Sequence, residues 1–325
     1  MGRFINPMID VSIIIVNYNG FDLLKNCLIT LYKFSKNFDF EVIVVDNNST
    51  DGNIEELVKE FDKVILIKNK TNLGFAKANN IALNIAQGKY ILFLNNDVYL
   101  IENSIKIVLD FAQTQSDDTF IGCKLLNTNH TWQASIANFP SGLNSFSANF
   151  FLYLLFPNSK YLNKYYLQRK EIREPLIIDY VLGAFLFGSR ETFLKLKGFD
   201  TQFFFYAEDI DLCYRLKLVG GKTIYYPLTS VIHIGGASVK TNQWFKFKNK
   251  AISELQFFQK HKKGIEFFFG IFSHYCGNLI RIPIAAIVGL IKFDKGLIIR
   301  SYYHLKLLFI YPKNLFIISF ALIFV

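Results

Sequence analysis

The sequence predicts an α/β domain built on a mostly parallel sheet, followed by a basic and apolar helical extension. Three observations carry this. Short β-branched runs alternate with helical patterns through the first hundred residues, which implies right-handed β-α-β crossovers. Hydrophobic residues make up 51% of the 325 and charged residues 19%, with a mean hydropathy of +0.24, so the chain has material for a core and is not a disordered one. Charge is divided unevenly. Thirteen of the 36 Lys and Arg residues but only three of the 26 acids fall from Lys240 onward, so this stretch carries the whole excess of +10 while residues 1–239 are neutral.

Val11–Asn17 (VSIIIVN) is the pattern of a strand buried on both faces. Phe21–Phe34 follows with Leu23, Leu24, Cys27, Leu28 and Leu31 at helical spacing, and Asp22 near its start. Glu41–Val45 reads as a strand, Ile54–Phe61 as a helix, Val64–Ile67 as a strand and Ala76–Ala86 as a helix. Gly88 then punctuates before a fourth strand at Tyr90–Leu94. Four cysteines (Cys27, Cys123, Cys213, Cys276) lie scattered without a C-x-x-C pair, which suits neither a disulfide framework nor a zinc site and fits a reducing compartment. The first ten residues hold one Arg and no apolar run, so no signal peptide is expected there.

Ligands of parallel sheets bind beyond the carboxyl ends of the strands. Three polar clusters fall at those ends: Asn17-Tyr18-Asn19, Asp46-Asn47-Asn48-Ser49 and Asn95-Asn96-Asp97. One would be an ordinary turn, whereas three at equivalent places point to a site. No G-x-G-x-x-G follows the first strand and no G-x-x-x-x-G-K-[ST] occurs, so the usual phosphate cradles are missing. A phosphorylated ligand would then need a cation, which one or two carboxylates can hold together with the ligand's phosphates. Asp97, with Asn95 two residues before it, could be such an anchor, or simply a turn former.

The stretches Val11–Gly20 (VSIIIVNYNG), Val44–Gly52 (VVDNNSTDG), Asn72–Asn80 (NLGFAKANN), Phe93–Val98 (FLNNDV), Gly183–Pro227 and Val231–Ser238 (VIHIGGAS) occur in an order and spacing that resembles family 2 glycosyltransferases, nearest their rhamnosyltransferase-like branch. The resemblance covers residues 9–240. It implies a GT-A fold, a Rossmann-like sheet whose nucleotide-sugar half (9–100) is fused to an acceptor half (101–240), with 241–325 as a membrane-associated extension. It also implies roles. Asn17 and Tyr18 would line the nucleotide pocket, Asp46 would accept a hydrogen bond from the pyrimidine ring, and Asn72, Gly74 and Asn80 would form the next nucleotide-side motif. Asp97 matches the last acid of a D-x-D metal element whose first acid is Asn95 here, one negative ligand fewer. The implied cofactor is Mg²⁺ or Mn²⁺.

Glu208-Asp209-Ile210-Asp211 places three acids just before a helical pattern at Leu212–Val219. Such acids can complement a helix N-terminus. Equally, a carboxylate can take the proton from an attacking hydroxyl. The resemblance puts that role on Asp209, with Glu208 and Asp211 orienting the acceptor or the base. The aromatic run Phe203–Tyr206 could floor an acceptor site or be plain core. His233 stands at a strand end, where a lone His is commonly structural; its place in the family motif makes it a metal or diphosphate contact. A base on one face of the sugar and the diphosphate leaving from the other would invert the anomeric centre.

From Trp244 onward cations and aromatics interleave, and then the chain turns apolar. The charge-free stretches Phe267–Ile280, Ile282–Ile291 and Asn314–Val325 each fall short of the roughly 18–20 residues that cross a bilayer. Lys292, Gly296, Arg300 and His304 recur every fourth residue, a polar stripe opposite Leu297, Ile298, Leu305, Leu308 and Phe309. This reads as a helix in the membrane interface. Phe267–Ile291 would span if Arg281 were tolerated, at roughly 2.5–3.5 kcal/mol. A nucleic-acid surface is the competing use of Lys with Phe and Trp, but it has no need of IPIAAIVGLI. Phe146–Phe156 (FSANFFLYLLF) is expected as acceptor-side core.

The expectation is an inverting glycosyltransferase at the cytoplasmic face of the cell membrane, peripheral or monotopic with at most one C-terminal segment. It would move a sugar, rhamnose by branch similarity, from a dTDP- or UDP-sugar to a glycan or polyprenyl-linked acceptor in cell-surface polysaccharide synthesis, and bind no nucleic acid. The alternatives are a polyprenyl-phosphate sugar synthase and an inactive glycan-binding protein.

Overall fold

A computed structural model describes residues 9–169, 172–235 and 243–315. Residues 1–8, Gly236–Ser238 of the VIHIGGAS motif and 316–325 of the last apolar stretch lie outside the described residues. In chain order the strands are β1 (Val11–Asn17), β2 (Phe40–Asp46), β3 (Val64–Lys68), β4 (Tyr90–Asn95), β5 (Val98–Leu100), β6 (Thr119–Leu126), β7 (Ile136–Ala137), β8 (Leu176–Ile178), β9 (Tyr180–Val181), β10 (Phe185–Ser189) and β11 (Lys222–His233). The helices are α1 (Phe21–Phe34), α2 (Ile54–Lys59), α3 (Phe75–Ile85), α4 (Ser104–Ala112), α5 (Gly142–Asn149), α6 (Leu152–Leu155), α7 (Arg190–Lys195), α8 (Glu208–Leu218), α9 (Gln243–His261), α10 (Gly264–Ile291) and α11 (Lys295–Leu315). Two compact units result: Met1–Phe139 with Gln168–Lys240, and Pro140–Leu167 with Thr241–Val325.

The first unit carries a nine-stranded mixed sheet in the order β3-β2-β1-β4-β10-β6-β11-β5, with β8 added on β11. β3, β2, β1 and β4 are parallel, as β-α-β crossovers require. β10 enters antiparallel between β4 and β6, β6 and β11 pair in parallel again, and β5 and β8 add antiparallel to β11, so the sheet is mixed but mostly parallel. The central strands are buried on both faces, which is why they read as unbroken apolar runs. On one face Ile13, Ile15, Val42 and Val44 share a core with Leu24 and Leu28 of α1 and Val108 of α4. On the other, Phe93 meets Phe193 and Phe199 edge-on, with ring centroids 5.0 and 4.8 Å apart. All three polar clusters therefore emerge at one edge of a rigid layer.

The second unit is helical. α10 runs 28 residues without interruption through Arg281 and Pro283, where the sequence suggested two shorter segments. Among the described residues it is the one helix long and apolar enough to cross a membrane, and only 22% of its most apolar 18 residues is buried. The Phe146–Phe156 block forms most of α5 and α6 and belongs to this unit: the Phe146 and Phe269 ring centroids lie 6.1 Å apart. It is not core of the sheet unit. His304, expected on the polar stripe of an interfacial helix, turns inward, its Nδ1 2.6 Å from Asn278 Oδ1.

Candidate active site

At the end of β1 the buried side chain of Asn17 is the hub. Its Nδ2 donates to Asp46 Oδ1 (3.3 Å) and Ser49 Oγ (3.0 Å), and its Oδ1 accepts from Asn96 Nδ2 (2.7 Å). Asp46, at the end of β2 and 2% exposed, also accepts from the backbone N–H (3.2 Å) and hydroxyl of Ser49. One residue from each of three parallel strand ends is thus tied into one network. Gly20 sits so close to it that a Cβ there would lie 2.5 Å from Asn96 Nδ2. Tyr18, next to the hub, is exposed.

The following loop joins the same ledge. Asn72 Oδ1 accepts from the Gly74 N–H (2.9 Å), and the Gly74 carbonyl accepts from Asn47 Nδ2 (3.3 Å). Gly74 holds φ +80°, a left-handed conformation that favours glycine, and a Cβ would meet Phe204 at 3.0 Å. Asn80, expected beside the nucleotide, is spent elsewhere. Its Nδ2 donates to the Phe199 carbonyl (2.7 Å) and its Oδ1 accepts from the Phe199 N–H (2.9 Å), so it buttresses a loop.

Asn95 closes β4, and Asn96-Asp97 turn into β5. The buried carboxylate of Asp97 accepts from the Gly235 N–H at Oδ2 (3.1 Å), and its Oδ1 lies 3.3 Å from His233 Nε2. His233 Nδ1 is 2.6 Å from Gln133 Oε1, while Gln133 Nε2 donates to the His233 carbonyl (2.9 Å) and to Asn127 Oδ1 (3.0 Å). Those two bonds fix the amide with its oxygen toward the ring, so Nδ1 donates to Gln133 and Nε2 is the ring nitrogen that faces Asp97. A carboxylate oxygen and an imidazole nitrogen 3.3 Å apart are both groups that can ligate a divalent ion, and a metal-ligating imidazole is commonly oriented by a hydrogen bond from its other nitrogen. Among the described residues no group of three or more His, Cys, Asp and Glu side chains could hold a metal. Asp97 and His233 could hold a divalent ion only with a substrate's phosphates completing its shell. Sequence gave no sign of Gln133, a loop residue brought to His233 by the pairing of β11 with β6 and β5.

Asp209 lies in the first turn of α8, which starts at Glu208 and so takes in the acids expected just before it. Its Oδ2 accepts from the Gly183 N–H (2.9 Å) and its Oδ1 from the Ile210 N–H (2.8 Å). One residue on, the Ala184 carbonyl accepts from the Asn95 N–H (3.0 Å), so α8 is pinned beside the end of β4. Burial raises the Asp209 carboxyl against the pull of those N–H groups. Glu208 is buried with an Oε2 that has no hydrogen-bond partner, and burial together with the Asp209 charge pushes its carboxyl up to about 8. Burial thus raises both carboxyls, and the backbone N–H groups on Asp209 oppose that rise. Tyr206 and Ala207, immediately before, both hold left-handed φ (71° and 65°), a costly conformation of the kind stored at functional sites. Asp211 behaves differently. Fully buried, it takes the Arg215 guanidinium at 2.7 Å, and Arg215 also donates to the carbonyls of Leu196 and Gly198, which is a structural clamp. Of the aromatic run, Phe203 is core and Phe204 covers Gly74.

A Rossmann-like sheet with its polar residues gathered at the carboxyl ends of parallel strands, and a carboxylate-bearing helix pinned beside them, defines a glycosyltransferase of the GT-A fold. The sequence model of Glycosyl transferase family 2 matches residues 12–191, and the chain belongs to that family. It is 26% identical over 231 residues to rhamnosyltransferase WbbL of Escherichia coli, a match covering 69% of this chain and 83% of that one. It is 27% identical over 209 residues to N-acetylglucosaminyl-diphospho-decaprenol L-rhamnosyltransferase of Mycobacterium tuberculosis, covering 59% of this chain and 66% of the relative. These relatives set it in the rhamnosyltransferase-like branch. Its fold matches the mannosyltransferase PcManGT from Pyrobaculum calidifontis, solved with GDP-Man and Mn²⁺, at a TM-score of 0.57 and 17% identity over 95% of this chain and 88% of that chain.

Proposed function

We propose that this glycosyltransferase moves a sugar, with inversion, from a dTDP- or UDP-sugar onto a glycan or polyprenyl-linked acceptor in cell-surface polysaccharide synthesis. Rhamnose is the sugar that the named relatives favour. The observation that carries the reading is the double tie around one strand end. Asp46 joins Asn96 through Asn17, and Asp209 joins Asn95 through Gly183-Ala184, so both ties end on the two residues that directly precede Asp97.

Asp46 and Asn17 take the base and ribose end of the donor, with Tyr18, Asn72 and Gly74 along the same ledge. Asn95, Asp97 and His233 face the diphosphate, where a divalent ion would offset the charge gained by the departing nucleotide. Asp209 is the general base. It takes the acceptor's hydroxyl proton as that oxygen bonds the anomeric carbon, while the carbon–oxygen bond to the diphosphate breaks on the opposite face and the nucleoside diphosphate leaves with the electron pair. Glu208 offers its unpartnered carboxyl to a sugar hydroxyl. Asp211 and Asn80 hold the helix and loop that carry these groups.

The chain works at the cytoplasmic face of the cell membrane, seated through its basic C-terminal region. One relative's name specifies a diphospho-decaprenol acceptor, which supports a lipid-linked substrate. The test is a thermal-shift panel of UDP, dTDP and GDP with and without Mn²⁺, followed by anomeric assignment of the product by NMR. Stabilisation by a pyrimidine diphosphate and an inverted product are expected. No stabilisation by any nucleotide, or a product of the donor's own configuration, overturns the reading.

A further inference from the structure

The helical unit has its polarity turned inside out. Along α10 the buried positions are small or polar: Gly270, Ser273, His274, Gly277, Asn278 and Gly289. The exposed positions are large and apolar, among them Ile265 (75% exposed), Phe268, Phe272, Leu279, Ile287 and Leu290. Their spacing of three, four, seven, eight and three residues keeps them on one face for the length of the helix, about 42 Å. α11 repeats the pattern, with Ile298, Tyr302, Leu305 and Phe309 exposed at i, i+4, i+7 and i+11. A helix packed in water presents the opposite arrangement.

Several of the inward polar groups are hydrogen-bonded within the helical unit. Asn278 Nδ2 donates to Tyr311 Oη (3.1 Å), and Asn278 Oδ1 lies 2.6 Å from His304 Nδ1. Ser301 Oγ donates to the Ile282 carbonyl (2.8 Å). The Arg281 guanidinium, the charge that breaks the apolar run in sequence, donates to the Ala148 carbonyl (2.7 Å) and to Asn149 Oδ1 (3.0 Å) of α5. Glycines mark the close approaches: a Cβ at Gly277 would lie 2.5 Å from Asn149, and one at Gly289 would lie 2.9 Å from Ile298. Small residues and hydrogen bonds inside with large apolar residues outside is the packing of helices whose surroundings are hydrocarbon. Exposed Lys263, Lys292 and Lys295 border the α10 stripe at its two ends, where they complement anionic head groups.

We infer that the outer stripe of α10 and α11 is a lipid-contacting surface, occupied by the acyl-chain region of an anionic bilayer. This deepens the membrane seating proposed above and rests on it, but it is independent of the donor-site assignments. The experiment uses the full chain with Cys276→Ser, since the other three cysteines are buried. An environment-sensitive fluorophore is attached at Phe272→Cys, at Ile287→Cys or, in the sheet unit, at the exposed Lys59→Cys. Phosphatidylcholine–phosphatidylglycerol vesicles with brominated acyl chains should quench the first two labels and spare the third. Unquenched labels at both α10 positions overturn the inference.

Ile287→Asp and Leu290→Asp should each lower vesicle partition about tenfold or more, with Ile287→Leu retaining it. Nucleotide-induced thermal shifts should be unchanged in all three. Undiminished partition of the Asp variants overturns the inference, as does a lipid-free dimer abolished by those substitutions while the labels stay unquenched, which would give the stripe to a second copy. Quenching with no nucleotide response would instead count against the proposed function and leave the lipid surface standing.

Discussion

Asp209 is suspended from the backbone N–H of Gly183, 2.9 Å from its Oδ2, one residue before the carbonyl that bonds the end of β4. The carboxylate is therefore positioned by main chain rather than by a side chain that could swing away. Pre-organised donors of this kind hold a charge in place at no reorganisation cost during reaction.

Asp209→Asn keeps one oxygen for these N–H groups and loses the basicity. Turnover should fall by about 10²–10⁴-fold, the range of general-base catalysis, with nucleotide-induced thermal shifts unchanged. Steady-state rates on purified protein, read beside the shifts, check this. Turnover within a few-fold of the parent would remove Asp209 from the base role.

Glu208 gives the fold a pH dependence whose sign can be worked out. Its carboxyl titrates near an ordinary 4.5 when unfolded and is raised to about 8 in the fold by burial and by Asp209. Between those values the folded chain binds the extra proton, so stability is greatest at the acid end and declines as pH rises toward 8. Glu208→Gln mimics the protonated form, and its thermal midpoint should decline less than that of the parent over the same window. Parallel curves would mean that Glu208 is ionised in the fold.

Gln133 bonds the far side of the His233 ring from 2.6 Å and so sets the orientation in which Nε2 faces Asp97. Gln133→Ala should weaken Mn²⁺ binding about 10–100-fold, the usual effect of removing a group that orients a metal-bound imidazole. The readout is the Mn²⁺ concentration needed for full thermal stabilisation by UDP. His233→Ala should weaken it at least as much. Unaltered Mn²⁺ titrations in both variants would leave the imidazole outside the metal site.

Much of this arrangement was legible in sequence because the central strands are buried on both faces and therefore read as unbroken apolar runs. β1 and α1 fall at the predicted residues, β3 and β4 run one residue further at one end, and β2 runs one residue further at each end. Pairing order was not legible. Phe185–Ser189 is an apolar run like the others, and only its partners make β10 antiparallel between β4 and β6. The charge of Arg281 suggested a break in α10 because its partners lie more than 130 residues away, on Ala148 and Asn149. Neighbouring acids proved chemically unlike for the same reason: Asp211 meets Arg215 one turn along the helix, Asp209 meets Gly183 from another element, and Glu208 Oε2 meets nothing.

That last contrast yields a prediction about stability rather than catalysis. Asp211 is fully buried and its Oδ2 takes Arg215 Nε at 2.7 Å. The same guanidinium spans the carbonyls of Leu196 and Gly198, so one side chain neutralises a buried charge and ties α8 to the turn after α7. Removing one partner of a buried pair strands the other charge, at about 3–5 kcal/mol, whereas replacing both together is far milder. Arg215→Met should therefore destabilise the sheet unit by about that amount. Arg215→Met combined with Asp211→Leu should recover most of the loss, and a Lys at 215 should recover only part, because an ammonium lacks the planar fork that reaches three acceptors. Urea unfolding of the three variants measures it. A double variant no more stable than Arg215→Met would show that Asp211 has a partner of greater weight than Arg215, and that the helix is held by something other than this clamp.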